Sequence, residues 1–225
     1  MTNLDIQDSL SPDKSAQPGN SQSPNHVIKT MYLEINNIAQ GLNVGLFVLV
    51  LTAPGFYNSF ASNYYSTPLL ALASLMISII FWTRYYFDTE ILDRSYTALS
   101  AFWFFAYVVS QGISISLISI PVAWFLGTGL FLLFGAGFYA LNLSEIQRKR
   151  TAGMTLTLAP DFEAWQHQRR VELLAFSALS FLGAGLAFVL PFAAFPAAAL
   201  ALIAALWQLA ITDDYRKRKF IETGA

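Results

Sequence analysis

The sequence predicts an all-α membrane protein, a bundle of about six transmembrane helices. Hydrophobic residues make up 55% of the 225 residues and charged residues only 12%, whereas soluble domains carry about 25% charged residues. Three stretches, 38–83, 95–144 and 173–212, contain no Asp, Glu, Lys or Arg. Uncharged stretches of this length are typical of helices that cross a bilayer.

Prolines divide these stretches into six helices. Pro54 is expected to end the first helix, because proline cannot continue a helix interior. Pro68 and Pro121 are expected to open the second and fourth helices, because proline suits the first helical position. Each helix is close to the roughly 20 residues that cross the hydrocarbon core. The predicted spans are residues 37–53, 68–87, 97–117, 121–143, 171–190 and 196–212.

The charges predict how the chain is threaded. Of the 13 Lys and Arg, 12 lie in the N-terminal segment, in the two connections after the second and fourth helices, or in the C-terminal segment, and Arg84 lies in the last turn of the second helix. The other three connections are uncharged, and the longest of them, GFYNSFASNYYST, is rich in Tyr and Phe, as an interfacial aromatic belt would be. The positive-inside rule therefore predicts cytosolic termini and three hairpins that open toward the cytosol. We expect the membrane to be a bacterial inner membrane.

Three polar segments lie on the predicted cytosolic side. Residues 1–28 are rich in Ser, Pro, Asn and Gln and are expected to be a disordered tail. Residues 144–170 form a linker, and its sequence DFEAWQHQRRVELL predicts a helix that continues into the fifth span. Residues 213–225 form a basic tail with the sequence YRKRKF. Basic segments of this kind are expected to bind anionic lipid head groups, at about 1 kcal/mol per basic residue.

The third predicted helix carries polar residues along one face. Tyr107, Gln111 and Ser114 share this face at near-heptad spacing. Gln40 and Asn43 of the first helix are expected to be their partners. One interpretation is a polar path or ligand pocket, and the other is ordinary hydrogen bonding between helices.

A second candidate is the charged segment around WTRYYFDTEILDRSYT. Arg84 and Asp88 are four residues apart, so they are expected to form a surface pair along one helix, with Arg84 extending its charge toward water. The alternative is a cytosolic enzyme site in which the acids hold Mg²⁺, since this ion prefers oxygen ligands. The predicted charged cluster contains Arg84, Asp88, Glu90, Asp93, Arg94, Asp213 and Asp214.

Several function classes are made improbable by composition. The chain has no Cys and only two His, which lie in separate polar segments, so a structural zinc site is not expected. The net charge of −1 does not favour a nucleic-acid partner. The chain has no P-loop, HExxH or GxSxG motif, and we assign no cofactor, metal or catalytic residue.

Three functions agree with these observations. The first is a non-catalytic accessory, scaffold or sensor component that acts through its cytosolic face. The second is a small transporter or channel protomer with a polar path along the third helix. The third is an interfacial membrane enzyme that uses the cytosolic acids. The expected partners are the lipid bilayer and either a second copy of the chain or another membrane protein.

Overall fold

A computed structural model of the chain describes residues 24–91, 97–153 and 161–222, and these residues are almost entirely helical. Six of the seven α-helices, all except the short α2, are long and apolar enough to cross a membrane. The all-helical prediction is therefore confirmed for the described residues, and the six long apolar helices agree with a multi-pass membrane protein. The predicted hairpins and their orientation stay predictions. The helices are α1 Pro24–Thr52, α2 Pro54–Ser62, α3 Ser66–Ile91, α4 Ala98–Ser116, α5 Pro121–Thr151, α6 Phe162–Val189 and α7 Ala194–Glu222, with a 3₁₀ turn at Pro191–Ala193.

Local sequence signals set several helix ends. At the start of α4, the Thr97 hydroxyl accepts a hydrogen bond from the Ser100 backbone N–H at 3.2 Å, and the Thr97 N–H donates to Ser100 Oγ at 2.8 Å. This reciprocal capping box satisfies two backbone groups that a helix start leaves without partners. α2 and α5 each begin with a proline, as expected for the first helical position.

The helices are longer than predicted at the charged ends of the sequence stretches. α1 includes residues 24–28 of the predicted tail, and α7 includes residues 213–222 of the predicted basic tail. In the predicted linker 144–170, α5 continues to Thr151, whereas the start of α6 at Phe162 agrees with the helix predicted for DFEAWQHQRRVELL. Once a helix has formed, each further residue adds a backbone hydrogen bond. Polar side chains do not prevent that extension once the helix has left the membrane.

The aromatic connection after α1 contains a helix that the sequence did not predict. Pro54 ends α1 as expected, but it also opens α2. Phe56 is buried and packs edge-on against Phe60, with ring centroids 5.1 Å apart. Tyr64 and Tyr65 then adopt positive φ angles of 50° and 58°, which reverses the chain into α3. The inward packing of an aromatic side chain explains why this connection is ordered as a helix.

The helices do not pack evenly with one another. α5 packs most extensively on α6, and α3 packs most extensively on α7. Small residues allow the close approach of α5 and α6, where Ser177 Oγ donates a 2.7 Å hydrogen bond to the backbone oxygen of Gly129. In contrast, α6 and α7 are consecutive in the chain but contact each other sparsely. This uneven packing leaves space inside the bundle.

Candidate functional site

A cavity of about 340 Å³ lies between α3, α5, α6 and α7. Most of its wall is apolar, and one end is formed by Arg84, Asp88 and Gln208. Four leucines that line the cavity are more than half exposed, so the cavity opens sideways between α6 and α7. These are Leu179, Leu182 and Leu186 of α6 and Leu200 of α7. The space is therefore amphipathic, with a polar end and an apolar side opening.

Gln208 of α7 organises the polar end. Its Oε1 atom accepts hydrogen bonds from Arg84 Nη2 at 2.7 Å and from Arg169 Nη1 at 3.0 Å. Its Nε2 atom donates to Glu172 Oε2 at 2.8 Å, and Glu172 also pairs with Arg169 at 2.6 Å. One amide side chain thus links α3, α6 and α7. We use the name polar cluster for this hydrogen-bonded group together with a second one, described below, that includes Asp88 one turn further along α3. The members of the polar cluster are Arg84, Asp88, Asn142, Gln166, Arg169, Glu172, Gln208 and Thr212.

Arg84 points into the bundle, contrary to the prediction that it extends toward water. Its side chain is only 7% exposed. Its Nε donates to Thr212 Oγ1 at 2.8 Å, and Nη2 donates to the side chain and the backbone oxygen of Gln208. The reason is the rotation of α3, which places position 84 against α7. Acceptors on that helix take the place of water.

Asp88 is buried as well, so the predicted surface pair of Arg84 and Asp88 does not form at the surface. Asp88 is 2% exposed, and its Oδ1 accepts a 2.7 Å hydrogen bond from Gln166 Nε2. Gln166 Oε1 in turn accepts from Asn142 Nδ2 at 2.9 Å. These contacts join α3 and α5 to the first turns of α6. The carboxylate of Asp88 is held by an amide donor at the end of the cavity.

An aromatic stack supports the polar cluster from α6 and α7. The rings of Trp165 and Tyr215 are nearly parallel, at 5°, with centroids 3.9 Å apart. The guanidinium carbon of Arg169 lies 4.4 Å from the Trp165 ring centroid, and that of Arg84 lies 5.8 Å away. Both distances lie within the range of cation–π attraction. Trp165 therefore packs between the end of α7 and two buried cations.

The polar residues predicted on the third helix meet one another away from this cavity. Gln111 Oε1 accepts hydrogen bonds from Gln40 Nε2 at 3.3 Å and from Asn43 Nδ2 at 3.0 Å. Gln111 Nε2 donates to Ser78 Oγ at 2.8 Å.

Ser114 Oγ donates to a backbone oxygen of its own helix, that of Ser110, at 3.0 Å. The void beside Gln111 and Ser114 measures only about 10 Å³, about the space of one water. A path here stays a prediction.

Tyr107, the fifth residue of that set, belongs to the larger cavity. Its ring stacks on Phe131, with centroids 4.3 Å apart and planes 7° apart. It also meets the edge of Phe81, with centroids 3.8 Å apart. All three side chains line the cavity wall. The structure thus divides the predicted set between a hydrogen-bonded group and the cavity.

Of the other residues in the predicted charged cluster, the two whose side chains are described, Asp213 and Asp214, do not line the cavity. Asp213 forms an ion pair with Lys217 at 2.6 Å, and Asp214 is exposed. Asp93 and Arg94 lie outside the described residues, as does the side chain of Glu90. Within residues 24–91, 97–153 and 161–222, no group of three or more acids or histidines is arranged to hold a metal ion.

The residues that complete the polar cluster on α6 and α7 were not selected from the sequence. Two signals for them were present. The first is that Gln208 is the only Asn or Gln in the uncharged stretch 173–212. A lone polar residue in a membrane helix usually faces the bundle interior. On α6, Trp165, Arg169 and Glu172 are spaced by four and three residues, so they share one face. Neither signal identifies the partners on other helices.

A comparison of the chain with protein-family models, curated proteins and solved structures finds no match to any of them. Its function is therefore argued from the geometry of the site.

Proposed function

We propose that this protein takes an amphipathic small molecule from the bilayer into the cavity between α3, α5, α6 and α7, as a small transporter or membrane-embedded binding protein. The observation that carries the proposal is the combination of an apolar wall, a polar end and a side opening in one cavity. Ligand sites are typically apolar spaces of about 300–1,000 Å³ with a few placed polar groups. A cavity of about 340 Å³ suits one small amphipath or one lipid chain.

The arrangement favours an amphipath over a fully polar substrate. Arg84 and Gln208 offer charged and amide hydrogen-bonding groups at one end, while the wall toward α6 and α7 consists mainly of Leu and Ala side chains. A polar substrate would lose its hydration against that wall without replacement hydrogen bonds, which is costly. An amphipath satisfies both regions. The predicted cytosolic position of both termini, in a bacterial inner membrane, is part of this proposal and rests on the charge pattern.

Filling the cavity tests the proposal. The purified protein in liposomes is exposed to a long-chain alcohol and to the matching fatty acid, each with a photoreactive diazirine in its chain, and the labelled peptides are mapped. We expect labelling of cavity-lining segments of α6 and α7. Ala201→Trp places a large ring in the cavity and is expected to lower this labelling about tenfold, equivalent to about 1.4 kcal/mol.

Ala210→Trp is the matched control, because Ala210 is an exposed residue of α7 that does not line the cavity. This variant is expected to label like the unmodified protein. Equal labelling of both tryptophan variants, or labelling confined to lipid-exposed residues such as Phe188, would count against a ligand site in the cavity.

A second candidate is the accessory or scaffold role, and the C-terminal part of α7 favours it. α7 continues for ten residues beyond Thr212 as a helix, and this extension carries four consecutive basic residues at 216–219. Replacing these four residues with Gln preserves Tyr215 and its stack on Trp165. If the extension docks a protein partner, the variant should lose that partner in native mass spectrometry of gently extracted membranes. Retention of the same partner would exclude docking through these charges.

A further inference from the structure

We infer that the ligand of this cavity is an anionic lipid, with its acidic head group on Arg84 and a chain that enters between α6 and α7. This inference rests on the proposed function and adds the chemical class of the ligand. It concerns a site inside the bundle and is separate from the basic segments at the ends of the chain.

The hydrogen bonding of Arg84 carries the first step. A guanidinium has five N–H donors. Nε and Nη2 of Arg84 donate to Thr212 and Gln208, whereas no described residue accepts a hydrogen bond from Nη1. The side chain is only 7% exposed, and it lines the cavity. Nη1 is not among the fully buried polar atoms that have no partner, so it is accessible from the cavity. A charged donor in this position forms a strong hydrogen bond with an acceptor that enters the cavity.

The local charges indicate that this acceptor is an anion. All the described hydrogen-bond acceptors of Arg84 are neutral oxygens. Glu172 of α6 is already paired with Arg169 at 2.6 Å, and Asp88 accepts a hydrogen bond from Gln166. A second cation, Arg169, shares the Oε1 atom of Gln208 with Arg84. A phosphate or carboxylate oxygen forms shorter and stronger hydrogen bonds with a guanidinium than a neutral oxygen does.

The depth of the cluster indicates that the anion belongs to a lipid. Arg84 lies 18 residues from the start of α3, and Gln208 lies 14 residues from the start of α7. At 1.5 Å per residue these distances are about 27 Å and 21 Å, against a hydrocarbon thickness of about 30 Å. The polar cluster thus lies toward one edge of the hydrocarbon layer, where head groups are found. The exposed leucines of the side opening provide an apolar entry for the chain.

Lipid selectivity tests the inference. The full-length protein is titrated in detergent with phosphatidylglycerol and, separately, with phosphatidylcholine that has the same chains, and bound lipid is counted by native mass spectrometry. We expect phosphatidylglycerol to bind about tenfold more tightly. Arg84→Gln should remove this preference, and Arg84→Lys should retain part of it, because the charge remains while the planar donor geometry is lost. Arg148→Gln is the control, since Arg148 is an exposed basic residue on α5.

The outcomes separate this inference from the proposed function. Equal affinity for the two lipids in the unmodified protein, or a preference that survives Arg84→Gln, overturns the anionic head-group site. Competition by inorganic phosphate at the same affinity would show that the site takes a free anion instead of a lipid. If Arg84→Gln does not fold, Arg84→Lys provides the test, because it keeps the charge and should reduce the preference for phosphatidylglycerol, and an unchanged preference in that variant overturns the inference. If the photoreactive alcohol labels the cavity but phosphatidylglycerol and phosphatidylcholine bind equally well, the anionic-lipid inference is refuted and the proposed function stands.

Discussion

Replacing Gln208 with leucine is expected to lower the free energy of unfolding by about 3–5 kcal/mol, the usual cost of breaking a buried charged network. The amide satisfies three charged groups at once, since its oxygen accepts from Arg84 and Arg169 and its nitrogen donates to Glu172. Leucine has a similar size but offers none of these bonds. The loss leaves two buried guanidiniums and one carboxylate with fewer partners. Equilibrium unfolding in mixed micelles of detergent and dodecyl sulfate measures the change.

Three further variants make this result specific. Gln168→Leu removes a single hydrogen bond to Glu172 from an exposed residue of α6, so a change below about 1 kcal/mol is expected.

Gln208→Glu alone places two carboxylates in contact, whereas the combination with Glu172→Gln exchanges the amide and the carboxylate and restores every hydrogen bond. The double variant should therefore be more stable than Gln208→Glu. A purely additive result would show that the two side chains do not interact.

The second large effect is expected at Trp165. Trp165→Ala removes an indole that lies between Tyr215 and Arg169, with ring and guanidinium contacts at 3.9 Å and 4.4 Å. Truncation of a buried tryptophan typically costs about 3–5 kcal/mol. Here a cation–π contact of about 0.5–2 kcal/mol is lost as well. We expect a correspondingly lower melting temperature in detergent, and Trp165→Phe should recover part of the loss because it keeps an aromatic face.

Trp207 offers the matched control for this substitution. It lies on α7 close to the polar cluster, but its side chain is 53% exposed. Trp207→Ala should therefore cost much less than Trp165→Ala, because most of its surface already faces the surroundings of the bundle. Equal losses from the two substitutions would mean that the stack of Tyr215, Trp165 and Arg169 does not stabilise the fold beyond general burial of an aromatic ring.

Both predictions concern the end of the bundle at which the cavity is closed. Gln208 joins α6 and α7 there through Arg169 and Glu172, and Trp165 joins the same two helices through Tyr215. The helices are joined again at the turn of Pro191–Ala193. Between these two connections, the leucines of α6 and α7 leave the side opening. The polar cluster thus stabilises the bundle and also forms the end of the cavity.

The amino-acid sequence by itself determined the helical class, the six spans and several of their ends. These properties are local: a span requires about 20 uncharged residues, and helix starts such as those at Thr97 and Pro121 depend on the nearest few residues. The hydrogen bonds of Gln111 with Gln40 and Asn43 agree with the partnership expected from the sequence. The predicted orientation also rests on the sequence alone, through its distribution of Lys and Arg, and stays a prediction.

Only the tertiary structure decided which charged residues are buried and where a cavity is left. Arg84 lies close to a predicted helix end, where snorkelling is common, but the rotation of α3 turns it toward α7 instead. Gln208 lies 124 positions from Arg84 and 36 from Glu172, and no local pattern links residues at such separations. The cavity results from the sparse contact between α6 and α7. The physical reason is that hydrophobic pattern and charge specify each helix separately, whereas burial depends on how the helices rotate and pack against one another.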